Sequence, residues 1–222
     1  MKKILRHLKK IRVLDAFLLS SFFLSGLAAL MYQVSWQRSL YGIIGVDIDS
    51  ITIIVSVFML GIGFGGMLGG WIADLTPKHR IQIYAVAEFS IALYGFFSLF
   101  LIENLDKWLT AAGGGAVNSG LSSLFFLILP TTLMGMTLPL LTMVFNDWQE
   151  SIGVSVGQLY FINTLGAATG AGLVPFVLLP ILPLDQIIHL AAVGNLAVGV
   201  LALCAYKWQL KQQSQAFFAG SN

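Results

Sequence analysis

Apolar residues gather in runs too long for a soluble helix, and short polar stretches separate them. Six runs, near 14–41, 50–73, 81–102, 119–145, 152–180 and 185–206, reach the roughly 20 residues that cross a bilayer core. Lipid cannot satisfy the backbone of an open strand, so each run is expected to be a helix. The fold class this predicts is an all-α integral membrane protein with six transmembrane helices. Residues 1–13 form a basic arm, 14–206 the membrane domain and 207–222 a tail.

The polar breaks orient the spans. Lys2, Lys3, Arg6, Lys9, Lys10 and Arg12 crowd the arm, Leu75–Arg80 is basic, and the tail carries Lys207 and Lys211. Asp47 and Asp49 are acidic, and Glu103–Lys107 is mixed. With an even number of spans, this bias puts both termini in the cytoplasm of a multi-pass inner-membrane protein. The loop expected at Asn146–Glu150 lacks Lys and Arg, a mild exception, and Ala111–Gly120 reads as an outer loop of small residues. The arm is not followed by a short core and a small-residue cleavage site, so it reads as cytoplasmic rather than as a signal peptide. Ile4, Leu5, Leu8 and Ile11 share a face that suits the anionic inner leaflet; a plain topogenic charge cluster explains the arm equally well.

Inside the spans, small residues form rows. Gly61, Gly65, Gly69 and Ala73 recur every four residues on one face, with Gly66 and Gly70 beside them. Gly166 and Gly170 repeat the spacing in the fifth span. Small residues let a second backbone approach closely in lipid. Equivalent rows in spans two and five suit two three-helix repeats of inverted topology, or merely packing within one bundle.

Polar side chains inside lipid are the candidate functional groups. Glu88 lies about 10 Å below the cytoplasmic interface at 1.5 Å per residue. It suits a cation or proton site, or a structural hydrogen bond. Tyr32, Gln33 and Trp36 share a face near Arg38, as a cavity wall or an interfacial anchor would. Tyr160 and Asn163 in span five are candidate solute contacts or interhelical ties, and Asn195 in span six reads as an interhelical tie. Pro130 and Pro139 flank Thr131–Leu138 in span four, marking a broken or hinged helix. Asp74, Lys78 and Arg80 form a charged turn suited to gating.

Composition narrows the classes. The 222 residues are 57% hydrophobic and 10% charged, against about a quarter charged in soluble domains. A net charge of +2, with basic residues at helix ends, gives no nucleic-acid footprint. One cysteine, Cys204, and three scattered histidines predict no disulfide and no metal site. Gly61-x-Gly63 lies inside an apolar helix and so fails as a dinucleotide fingerprint. With no nucleophile motif and no cofactor loop, the chain is expected not to be an enzyme and to need no cofactor.

Gly70-Trp-Ile-Ala-Asp74-Leu-Thr-Pro-Lys78-His-Arg80 resembles the glycine–acid–basic signature between helices two and three of the major facilitator superfamily. Pro77 departs from the usual glycine, and His79 breaks the basic run. Ser25–Arg38, Glu88, Leu129–Pro139 and Leu159–Gly170 resemble the membrane domains fused to spermidine-synthase-like proteins, over about 20–203. Gln33 stands where that family usually shows glutamate. In those relatives the helices precede a soluble aminopropyltransferase-like domain, and here the chain ends twelve residues after Leu210. The resemblance implies a membrane module without its enzyme: a half-sized facilitator for a small cationic solute such as a polyamine. It would act as a homodimer whose glycine rows pair with those of a second copy, or beside a separately encoded soluble partner. The alternative is a non-catalytic anchor or assembly subunit of a larger membrane complex, its glycine faces docking a membrane-protein partner.

Overall fold

A computed structural model describes residues 2–46, 48–111, 113, 115–149 and 152–220, with side chains described between residues 16 and 210 except at 106, 110, 116, 147–149, 152 and 209. Six helices follow one another: α1 (Lys2–Ile44), α2 (Ile48–Leu75), α3 (Arg80–Ala111), α4 (Ala116–Gln149), α5 (Ile152–Leu173) and α6 (Leu184–Gly220). All six are long and apolar enough to cross a membrane. The protein is all-helical, as the apolar runs require. The side chains of the arm, including the Ile4–Ile11 face, and Asp47 lie outside the described residues.

Helix ends differ from the sequence reading where polar residues tolerate helix. α4 starts at Ala116 and runs through Gln149, so most of the two expected loops, at 111–120 and 146–150, is helical. Gly45, at φ 97°, closes α1, its N–H donating to the Tyr41 carbonyl at 3.2 Å. The fifth span is not one α-helix to residue 180. A π-helical turn, Val174–Leu178, follows α5, and Leu179 N–H reaches back five residues to the Val174 carbonyl at 2.9 Å. Pro175 lacks the N–H that the α-helical ladder needs there, which permits the wider turn.

Packing follows the small residues. α2 lies along α4, α5 along α1, and α3 along α6, with α1 also against α6 and α3 against α4. Gly61, Gly65 and Gly69 are buried on α4: an added Cβ would run into Thr131, the Thr132 backbone and Met136 respectively. Gly166 and Gly170 meet the backbone of Phe23 and Leu27 on α1. The rows expected to meet a second copy are thus covered from within the chain. The reason is geometric, since only a glycine face admits a neighbouring backbone this closely. Gly66 sits at the edge of its contact, 4.0 Å from the Gly135 carbonyl for an added Cβ, and Gly70 faces open space.

Both prolines lie within a continuous α4. Pro130 cannot donate to the Phe126 carbonyl four residues back. Tyr94 of α3 donates its hydroxyl to that same carbonyl at 2.5 Å. The missing ladder bond is therefore replaced from a neighbouring helix. Pro139 likewise frees the Gly135 carbonyl, where α4 meets α2.

Candidate functional site

Two polar clusters stand out in the membrane domain, and α1 contributes to both. The first is buried. Glu88, in α3, is fully inaccessible; Ser25 of α1 donates to its Oε1 at 2.6 Å and Asn195 of α6 donates to its Oε2 at 2.5 Å. Three helices thus converge on one carboxyl. Tyr84, one turn before Glu88, and Tyr32 of α1 are within electrostatic reach of it. Both hydroxyls are buried; that of Tyr84 faces Glu88, Ser21 and Ser25, while that of Tyr32 and the Asn195 Oδ1 have no hydrogen-bond partner.

Above Tyr32, α1 continues as an aromatic wall facing inward. Tyr32 and Trp36 stack at 4.5 Å, and Trp36 meets Tyr94 and Phe126 edge-on at 5.7 and 5.5 Å. Tyr32 and Trp36 are wholly buried. They are not exposed as an interfacial anchor would be; they fill the contact of α1 with α3 and α4. Tyr32 fits because Gly95 of α3 carries no side chain, and a Cβ there would overlap the phenol ring.

The second cluster lines a groove of about 300 Å³ between α1, α2, α4 and α5. Ala29 and Leu30, Ile62 and Gly66, Gly135 and Thr137, and Tyr160, Asn163 and Thr164 supply its walls. Among the described residues no charged side chain lines it. Asn163 is placed by a close approach: its backbone carbonyl and Oδ1 lie over Gly26 of α1, where a Cβ would collide. The Gly135 carbonyl released by Pro139 faces Gly66 at the same groove. Hydroxyls, an amide and a freed carbonyl therefore meet on an otherwise apolar wall near the middle of their spans.

The residues singled out from sequence are divided by this geometry. Tyr32, Trp36 and Glu88 belong to the buried cluster, while Tyr160 and Asn163 belong to the groove. Gln33 is half-buried on α1, one turn beyond Ala29 and Leu30, so helical spacing puts it on the groove side. Arg38 is exposed. Asp74 and Lys78 are exposed at the α2–α3 turn. Arg80 is buried there, its Nε donating to the Ala73 carbonyl at 2.8 Å, where a cation satisfies the end of α2. Tyr84, Tyr94 and Ser25 were not singled out as site groups; only a tyrosine or serine facing other helices would have marked them, and their partners are far away in sequence. Among the described residues no group of three or more His, Cys, Asp or Glu side chains comes together.

No family model matches the chain, and no solved structure matches it. Two curated proteins are similar. One, from Oceanobacillus iheyensis, is named polyamine aminopropyltransferase and is 24% identical over 169 residues, 76% of this chain and 31% of its own. Another, polyamine aminopropyltransferase 2 of Streptomyces coelicolor, is 24% identical over 208 residues, 92% of this chain and 37% of its own. The chain spans about a third of the length of the curated relatives it matches. Their names are those of enzymes, which corrects the expectation that the chain is not one. That expectation rested on missing nucleophile and phosphate-loop motifs, and a similarity spread over apolar helices leaves no such mark. The chain has six helices of membrane-spanning type and weak similarity to polyamine aminopropyltransferases.

Proposed function

We propose that this chain is a membrane module of polyamine biology, which takes a small cationic solute such as a polyamine into the α1–α2–α4–α5 groove and carries it across the bilayer. The observation that carries the reading is the groove itself. Its carbonyl, amide and hydroxyl oxygens suit ammonium groups, it is uncharged, and its size is at the lower end for small-molecule sites. The names of the two relatives supply the polyamine. Tyr160, Asn163 and Gln33 are the solute contacts in this reading; Glu88 and Tyr32 lie outside the groove lining and act through α1.

The half-facilitator architecture belongs to the same proposal. Exchanging α1 with α4, α2 with α5 and α3 with α6 maps the packing pairs onto one another: α2–α4 becomes α5–α1, α1–α6 becomes α4–α3, and α3–α6 is kept. That pattern supports two inverted three-helix repeats. A second copy set groove to groove completes the path, in place of contacts through the glycine rows. The basic arm, turn and tail at one end support cytoplasmic termini in an inner membrane, and the Asp74–Arg80 turn gates that end. A fused or separately encoded soluble domain fits the span of about a third of the relatives.

A second reading is favoured by the enzyme names: the chain forms the membrane part of an aminopropyl-transferring enzyme. Purified protein in proteoliposomes separates the two. Saturable spermidine uptake lost in Asn163→Leu supports transport. Aminopropyl transfer by native membranes that is lost on deleting the chain, with no uptake by the purified protein, supports the enzyme and refutes transport.

A further inference from the structure

We propose that Glu88 and Asn195 form a proton-binding site with two built hydrogen-bond states, read by α1 through Ser25. Burial does not explain the details of this cluster. An ionised carboxyl needs donors on both oxygens, and Ser25 Oγ and Asn195 Nδ2 supply one each. A protonated carboxyl needs an acceptor for its new O–H. The Asn195 Oδ1 is that acceptor: it is buried at the same place and has no partner. Half a turn of the amide exchanges donor for acceptor with the heavy atoms otherwise in place, the two orientations of an amide being nearly isosteric. The reaction is simple: one proton adds to a carboxylate oxygen, one O–H bond forms, and no other covalent bond changes.

The surroundings suit both states. The titratable groups facing Glu88 are Tyr84 from its own helix and Tyr32 from α1; α6 presents the Asn195 amide. Among the described residues, none of the groups recorded at the carboxyl is a cation. The Tyr84 hydroxyl faces the carboxyl, the buried Tyr32 hydroxyl has no partner, and both can donate or accept. Ser35 Oγ and Trp36 Nε1 on α1, and Ser122 and Ser123 on α4, are also buried and unpartnered. Buried polar groups left unpaired are rare and mark unusual demands. These continue from Tyr32 toward the C-terminal end of α1, and they mark the direction from which the proton reaches the carboxyl.

Ser25 connects the site to the groove. Its neighbour Gly26 carries the Asn163 contact, and Ala29 and Leu30 line the groove one turn on. When Glu88 is ionised, Ser25 makes a charge-assisted bond that holds α1 against α3; protonation weakens that bond and frees α1. This last step rests on the groove being the solute site. The proton site itself does not.

The test is infrared titration of the purified protein in lipid nanodiscs, between about pH 4 and pH 9, the range over which free and buried carboxyls ionise. The expected result is a protonated-carboxyl C=O band that titrates, disappears in Glu88→Gln and keeps its amplitude but shifts its midpoint in Asn195→Ala. A wild-type protein without a titrating buried-carboxyl band, or a band that survives in Glu88→Gln, overturns the proposal. An unshifted midpoint in Asn195→Ala overturns the role of the amide. If Glu88→Gln does not fold, carboxyl-labelled glutamate replaces it, because the chain has only Glu88, Glu103 and Glu150. A titrating band that moves with the label supports the site, and one that does not overturns it. Failure of solute uptake with the band intact removes the transport reading alone.

Discussion

Replacing Gly65 by alanine tests the packing that shapes the groove. A Cβ at that position would lie 2.8 Å from the Thr132 carbonyl carbon and 2.9 Å from its Cα. Carbon atoms rest at about 3.5–4.0 Å, so α2 and α4 must part by about 1 Å. The obstacle is backbone, and no rotamer change relieves it. Overpacking of this kind costs about 1–3 kcal/mol. Alanine in turn favours a helix over glycine by up to about 1 kcal/mol. Gly63, two residues earlier and with nothing within 4 Å, receives that gain without the clash. Gly65→Ala should therefore be less stable than Gly63→Ala by about 1–3 kcal/mol, or roughly 5- to 150-fold in the folded-to-unfolded ratio. Reversible unfolding in mixed micelles, followed by circular dichroism, measures the difference. Equal stability of the two variants, or a more stable Gly65→Ala, would refute a backbone contact between α2 and α4.

Two further predictions use the same preparation. Tyr94→Phe leaves the Phe126 carbonyl without its donor and should cost about 1–3 kcal/mol. In a Pro130→Ala background, where the helix can supply its own N–H, the cost should largely vanish; an additive double-mutant cycle would show that Tyr94 does not replace the proline's missing bond. For topology, Cys204→Ser removes the single cysteine. In that background Lys78→Cys should react with an impermeant maleimide only from the cytoplasmic side and Lys107→Cys only from the opposite side. The reverse pattern would invert the assigned orientation.

Much of this architecture was legible along the chain, because the bilayer imposes length and composition on each span. The glycine rows were also legible, since four-residue spacing fixes a helix face wherever the helix goes. What the rows would meet was not. A small face admits any backbone, and only tertiary contact shows that α4 and α1 of the same chain fill it. The length of the fifth span was legible, but not its closing π-helical turn, because hydropathy does not register the N–H that Pro175 lacks. The site was half visible. Glu88 stood out as an acid in lipid, but Ser25 is 63 positions away and Asn195 is 107. Tyr32 and Trp36 share their helix with Gln33, and a step of about 100° per residue leaves Gln33 half-buried while they are wholly buried. No spacing rule says which side faces the core.

A groove that binds and moves a cationic solute should give proteoliposomes made with the purified chain the ability to take up spermidine. Uptake should be saturable, abolished by Asn163→Leu and largely intact in Arg38→Gln, since Arg38 is exposed away from the groove lining. Uptake no greater than in protein-free liposomes, from protein that is folded and inserted, would contradict transport through the groove.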